Sequence, residues 1–241
     1  MDYGIGMGAA RRGWTVFDAQ TPVLTYRYSF GPGTATSLAV GGANGLVIVS
    51  PPCGVAPSVF TDLSQYGVVR ALVASNAFHH LGLREWNKWF PKAAVFAPAQ
   101  SIARVERQAK FHGIQPLAKA SSITGPRLEL IDMPHYKTGE VLVRIKTERG
   151  LVWYVTDIVM NMRTLPDNRV MRLVFKLTRS GPGLKFNNIA PLFMVRNKGE
   201  LKRWLAAELD KAPPQWLIPC HGDIVELGPN PARVRRLFTS S

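Results

Sequence analysis

From Tyr28 to Thr61 the chain carries no charged residue. A run this long and uncharged suits a membrane span or a buried core. A spanning helix needs about 20 continuous apolar residues. Here Gly31, Pro32, Gly33, Gly41, Gly42, Gly45, Pro51, Pro52 and Gly54 break the run repeatedly. The apolar pieces in and around it are short and rich in β-branched residues: Val23 to Phe30, Thr36 to Val40 and Leu46-Val47-Ile48-Val49. They read as strands of a meander joined by tight turns, the last covered on both faces.

Beyond this region the period changes. Pro57 to Tyr66, Leu83 to Phe90 and Pro98 to Lys110 read as helices, and Val68 to Ala74 and Ala94 to Ala97 as strands between them. Alternating strands and helices imply layered α/β architecture. Strands return at Leu128 to Asp132, Glu140 to Thr147 and Leu151 to Thr156, the last two joined by a Glu148-Arg149-Gly150 turn. Arg179 to Asn188 reads as a loop. Gly199 to Leu209 is helical, Trp216 to Ile218 a strand, and Pro231 to Phe238 a last helix. Trp86 and Trp89 fall three apart on a helix and suit packing better than stacking on a base. No repeat or linker divides the 241 residues, so one domain over 1–241 is expected.

With 46% hydrophobic and 19% charged residues the chain is not disordered material. Two cysteines, Cys53 and Cys220, exclude a disulfide framework and the usual zinc ribbon. Reduced thiols suit a cytoplasmic protein. Arg11 and Arg12 lead no apolar segment of the kind an export signal needs, and no membrane partner is expected. The net charge of +14 leaves nucleic acid open as a partner, and residues 158–203 hold ten Lys and Arg against Asp167 and Glu200.

The chemistry lies at strand ends. Three strings place a histidine after a strand: Ser75-Asn76-Ala77-Phe78-His79-His80-Leu81-Gly82, Met133-Pro134-His135-Tyr136-Lys137-Thr138-Gly139, and Pro219-Cys220-His221-Gly222-Asp223. A fourth, Val152 to Asp157, closes an apolar strand with an acid. Rigid sheets carry functional groups on such loops. His112, beside Gly113, reads as a surface residue. Cys220 reads as a small buried residue, since a sequence neighbour such as His221 does not usually face it.

In this order the four strings resemble the metallo-β-lactamase superfamily, whose marks are an H-x-H-x-D-H run, a later His at a turn, an Asp closing a strand, and a final P-x-H-G-D. The resemblance spans nearly the whole chain from Val23. It implies a four-layer αβ/βα sandwich with two mixed β-sheets. The run is degenerate: with Gly82 in register, Ser75 and Ala77 replace the first two histidines, His79 replaces the Asp, and His80 keeps the last His. The half of the two-metal site that needs the lost histidines is therefore expected to be empty.

What remains implies one divalent metal, held by some or all of His79, His80, Asp157 and His221. Zinc suits this set best, with iron or manganese as alternatives. Adjacent histidines on an extended segment point to opposite sides, so one ion need not take both. His135 and Tyr136 are candidate substrate contacts. The implied activity is hydrolysis of a small ester, thioester, lactone or amide by metal-activated water, with Asp157 and His221 as the catalytic residues. Two other readings stay open: a pseudoenzyme that binds no metal and holds a ligand or partner, and a basic nucleic-acid-binding protein. The resemblance also admits a homodimer.

Overall fold

The uncharged N-terminal run forms the antiparallel half of a seven-stranded sheet. The computed structural model describes residues 13–31, 33–229 and 231–239, so Arg11, Arg12 and Pro32 lie outside the described residues. β1 (Thr15–Asp18), β2 (Val23–Phe30), β3 (Gly33–Gly42) and β4 (Gly45–Val49) pair antiparallel, and β5 (Val69–Val73), β6 (Ala94–Ala97) and β7 (Gln115–Pro116) continue in parallel. β4 is buried on both faces because its side chains alternate between two cores. Val47 and Val49 face a second sheet, while Leu46 and Ile48 face the helices α1 (Ser58–Thr61), α2 (Leu83–Trp89) and α3 (Ile102–Ala109). Trp86 is fully buried there, and Trp89 stacks on Phe60 with centroids 4.7 Å apart.

After α4 (Ser121–Thr124) the chain builds the second sheet from β8 (Leu128–Asp132), β9 (Val141–Thr147) and β10 (Gly150–Val155). A small antiparallel pair follows, β11 (Val159–Met162) with β12 (Gly183–Phe186), and between them lies α5 (Arg169–Leu177). The expected loop at 179–188 thus contains a strand. Ser180-Gly181-Pro182-Gly183 masks it in the sequence, and only pairing with β11 makes Gly183–Phe186 extended. α5 was not expected either; Asn168 caps it by accepting from the Val170 and Met171 amides at 3.0 and 3.1 Å.

The chain closes with α6 (Ala190–Phe193), α7 (Lys198–Lys211), β13 (Trp216–Pro219), β14 (Val225–Glu226) and α8 (Ala232–Thr239). β13 enters the second sheet parallel to β10, giving the order β14-β13-β10-β9-β8. Leu201, Leu205 and Leu209 of α7 and Val234 and Phe238 of α8 cover the outer face of this sheet. Arg144 of β9 pairs with Glu208 of α7 and stands over the Trp153 ring, so the helix docks through a buried ion pair as well as leucines. The two mixed sheets share one inner core, and helices cover both outer faces. This is the expected four-layer αβ/βα sandwich. No helix among the described residues is long and apolar enough to cross a membrane.

Candidate metal and active site

β10 and β13 are parallel neighbours, with Val155 opposite Pro219. Asp157 lies two residues past Val155, and His221 two past Pro219, so the register alone brings acid and imidazole side by side. β11 then clamps the turn after β13. The Asn161 amide donates to the His221 carbonyl at 2.9 Å, and the Asp223 amide donates to the Asn161 carbonyl at 2.9 Å. Gly222 has φ +115°, and a Cβ there would stand 1.9 Å from the Asn161 carbonyl oxygen. Only glycine fits beside His221.

His79 reaches the same place from the other sheet. Past β5, the Asn76 side-chain oxygen accepts from the Phe78 and His79 amides at 2.8 and 3.1 Å, a local turn that aims His79 inward. At Gly82 a Cβ would stand 2.3 Å from the Pro52 carbonyl, so the loop presses on the backbone after β4.

Three side chains meet. Asp157 Oδ1 is 3.1 Å from His221 Nε2, and Asp157 Oδ2 is 3.4 Å from His79 Nε2. His221 Nδ1 donates to the Thr34 carbonyl at 2.9 Å. His79 Nδ1 faces Cys220 Sγ at 3.9 Å. The Asn76 amide donates to Asp157 Oδ2 at 2.7 Å and to Glu140 Oε2 at 3.0 Å. Asn76 therefore bridges two carboxyl groups from behind.

Burial alone would raise the Asp157 pKa, yet the two imidazoles hold it well below the usual range. Burial likewise works to lower His79 and His221, but Cys220 and Asp157 outweigh it. His79 ends well above its ordinary value and His221 at about 9. For Glu140, burial and the charge of Asp157 outweigh Asn76 and His79 and push its pKa well above the ordinary value.

The donor chemistry fits a metal ion. The imidazole nitrogens and carboxylate oxygens, 3.1 and 3.4 Å apart in their two pairs, are donor types that zinc takes. The Thr34 carbonyl orients His221 as the second partner of a metal-bound histidine does. Among the described residues, the group whose donor atoms all lie within 4.8 Å of one another is His79, Cys220 and His221, a set that does not include Asp157. Cys220 meets the Nδ1 side of His79, away from the nitrogen that faces Asp157. Two imidazoles and a carboxylate would leave a position open on a four-coordinate ion.

Of the expected ligands, the structure brings His79, Asp157 and His221 together and leaves His80 apart. The His80 ring turns to the Ala77 carbonyl at 3.1 Å, and burial lowers its pKa. Of the positions where the resemblance expects two lost histidines, Ser75 bonds Ser50 at 2.7 Å inside the inner core and Ala77 is buried. His135 sits at the β8–β9 turn with φ +64°, its carbonyl accepting from the Arg196 amide at 2.6 Å. Tyr136 is buried in the core under α7. Neither lines the cavity above Asp157. Neither Asn76 nor Glu140 was expected as a site residue, whereas Cys220 is buried as expected, with its Sγ 3.9 Å from His79 Nδ1. The only sequence signal for Asn76 is an Asn at a strand end, where side-chain oxygens often cap turns.

That cavity has a volume of about 460 Å³ and opens over His79, Asp157 and His221 between β2, the turn after β5, and α6. No protein-family model and no curated protein matches the sequence. Solved structures do match the fold. A metallo-β-lactamase from Pontibacter korlensis superposes with TM-score 0.61 at 10% identity, over 95% of this chain and 99% of that one. A flavo-di-iron protein variant from Thermotoga maritima gives 0.63 at 12% identity over 94% of this chain, which spans 61% of that protein. The metallo-β-lactamase FIM-1 from Pseudomonas aeruginosa, in its mono-zinc form, gives 0.58 at 11% identity, over 93% of this chain and 92% of that one. With its two mixed sheets, its outer helices and a polar cluster at the strand ends, the chain has the metallo-β-lactamase fold.

Proposed function

We propose that the chain is a hydrolase of a small ester, thioester, lactone or amide and works with one divalent metal ion, zinc first and iron or manganese as alternatives. One observation carries this reading: two imidazole Nε2 atoms converge on the two oxygens of a single carboxylate at a cavity floor. His79, Asp157 and His221 would hold the ion, which when bound lowers the pKa of its water to ~7 and polarises a carbonyl. The chain's own groups prepare the place. The Thr34 carbonyl fixes the His221 ring, Cys220 faces the far nitrogen of His79, and Asn76 holds the Asp157 carboxylate toward both rings.

The test is elemental analysis of untagged protein purified without chelator, beside a His79→Ala, His221→Ala double variant. About one equivalent of metal in the parent and none in the folded variant supports the reading, as does ester or thioester turnover lost on the same change. No metal in the parent removes it.

A second reading is a decayed site that keeps the fold and binds without turnover. It is favoured by the way the three side chains satisfy one another: both nitrogens of His221 already face acceptors, Thr34 and Asp157. It expects no stoichiometric metal and no turnover.

A further inference from the structure

We propose that the substrate of this site carries an acyl or aryl group of several carbons, which the cavity takes and which Phe193 and Leu81 select. The inference rests on the hydrolase reading only for where the reacting bond lies. The walls above the polar floor are Phe30, Phe78, Leu81, Ile189, Phe193 and Met194. The volume of about 460 Å³ is within the ~300–1,000 Å³ of small-molecule pockets.

Polar groups above the floor are few and mostly committed. Asn187 lines the cavity, but its amide donates to the Asp157 carbonyl at 2.7 Å and its oxygen accepts from the Ile189 and Ala190 amides at 3.0 and 3.3 Å. Tyr28 adds one hydroxyl. Among the described residues no lysine or arginine lines the cavity, although the chain carries +14. Above the floor, a phosphate, sugar or nucleotide would find few partners for its polar groups among these walls. The basic surface and the cavity thus answer to different chemistry.

The mouth completes the argument. Phe193 is 71% exposed, Leu81 58% and Phe78 41%. The Arg104 guanidinium stands 4.6 Å over the Phe78 ring, holding that ring at the edge. Phe193 ends the short α6, and the next residue, Met194, is pinned because its carbonyl accepts from the Lys137 amide at 2.7 Å. Large apolar groups held at an opening and left in water gain most when an apolar ligand covers them.

The test is equilibrium binding of the neutral fluorophore N-phenyl-1-naphthylamine to chelator-treated protein, with displacement by straight-chain 1-alkanols. One saturable site is expected, with alkanol affinity rising about fourfold per added methylene until the cavity is full. Phe193→Asp and Leu81→Asp, both at exposed positions, each weaken binding at least about tenfold. Absence of saturable binding, no dependence on chain length, or parental affinity in both variants would overturn the inference. Binding here needs neither metal nor turnover. A protein without metal that still binds as described loses the hydrolase reading and keeps the apolar cavity. A metal-loaded hydrolase with no chain-length dependence does the reverse.

Discussion

Asp157 Oδ1 and His221 Nε2 stand 3.1 Å apart, each two residues past a paired end of the parallel strands β10 and β13. Neither side chain is more than 16% exposed. The pair needs only sheet register to form, and His79 joins it across the inner core from the other sheet. A side-chain cluster assembled this way is held by the two sheets that carry it.

Metal content follows the three side chains that meet and ignores the fourth histidine. His80→Ala retains about one equivalent, because its ring bonds the Ala77 carbonyl away from Asp157. Asp157→Ala and His221→Ala each lose the ion. Metal analysis of the three purified variants checks this; loss of metal in His80→Ala would return that residue to the ligand set.

In the metal-free protein His221, whose pKa Cys220 and Asp157 raise against burial, makes stability depend on pH. His221 rises from an ordinary 6.5 to about 9 in the folded state. Its contribution is therefore fully present below pH 6.5 and is lost as pH rises through about 9. The shift corresponds to at most about 3 kcal/mol. His221→Gln destabilises clearly at pH 6 and much less at pH 10, measured by urea unfolding with chelator present. An equal loss at both values would show that His221 is uncharged in the fold.

Asn76 is expected to be costly to replace. Its amide separates the Asp157 and Glu140 carboxyl groups, and its oxygen holds the turn that aims His79. Asn76→Ala leaves buried acceptors unpaired and costs ~2–4 kcal/mol. A fall of under ~1 kcal/mol in the unfolding free energy at pH 7 would contradict the bridging role.

Glu140→Gln runs the other way. The folded pKa of Glu140 is raised above 4.5, so the stability linked to its proton is present below 4.5 and drains away as pH rises. Glutamine has no proton to lose. Relative to the parent, Glu140→Gln gains stability between pH 5 and pH 8, read from unfolding curves across that range. A variant that loses stability relative to the parent as pH rises would place a charged carboxylate there.

Gly222→Ala breaks the turn that presents His221. The new Cβ has backbone within 1.9 Å and a φ of +115° to endure. Destabilisation above ~3 kcal/mol, or a folded protein without metal, is expected. A variant with parental stability and metal content would show that the turn can shift.

The sequence by itself determined the local elements and the general place of the chemistry. Interrupted apolar runs specify strands, so β2, β4, β6 and β8 lie where their side-chain patterns put them. Pro219-Cys220-His221-Gly222-Asp223 and the closing Asp157 mark strand ends because glycine, proline and a terminal acid are local signals. The tertiary structure decided which groups face one another. Of two adjacent histidines, an Asn76 turn chooses His79, and Cys220 meets that ring instead of its own neighbour. Asn76 and Glu140 are ordinary residues in sequence, and only the packing of β5 against the second sheet makes them partners of Asp157. β12 escaped detection because its extended form depends on β11. Such contacts join residues tens of positions apart, and side-chain direction at a turn depends on the partner that the rest of the fold supplies. Hydrophobic period carries no record of that partner.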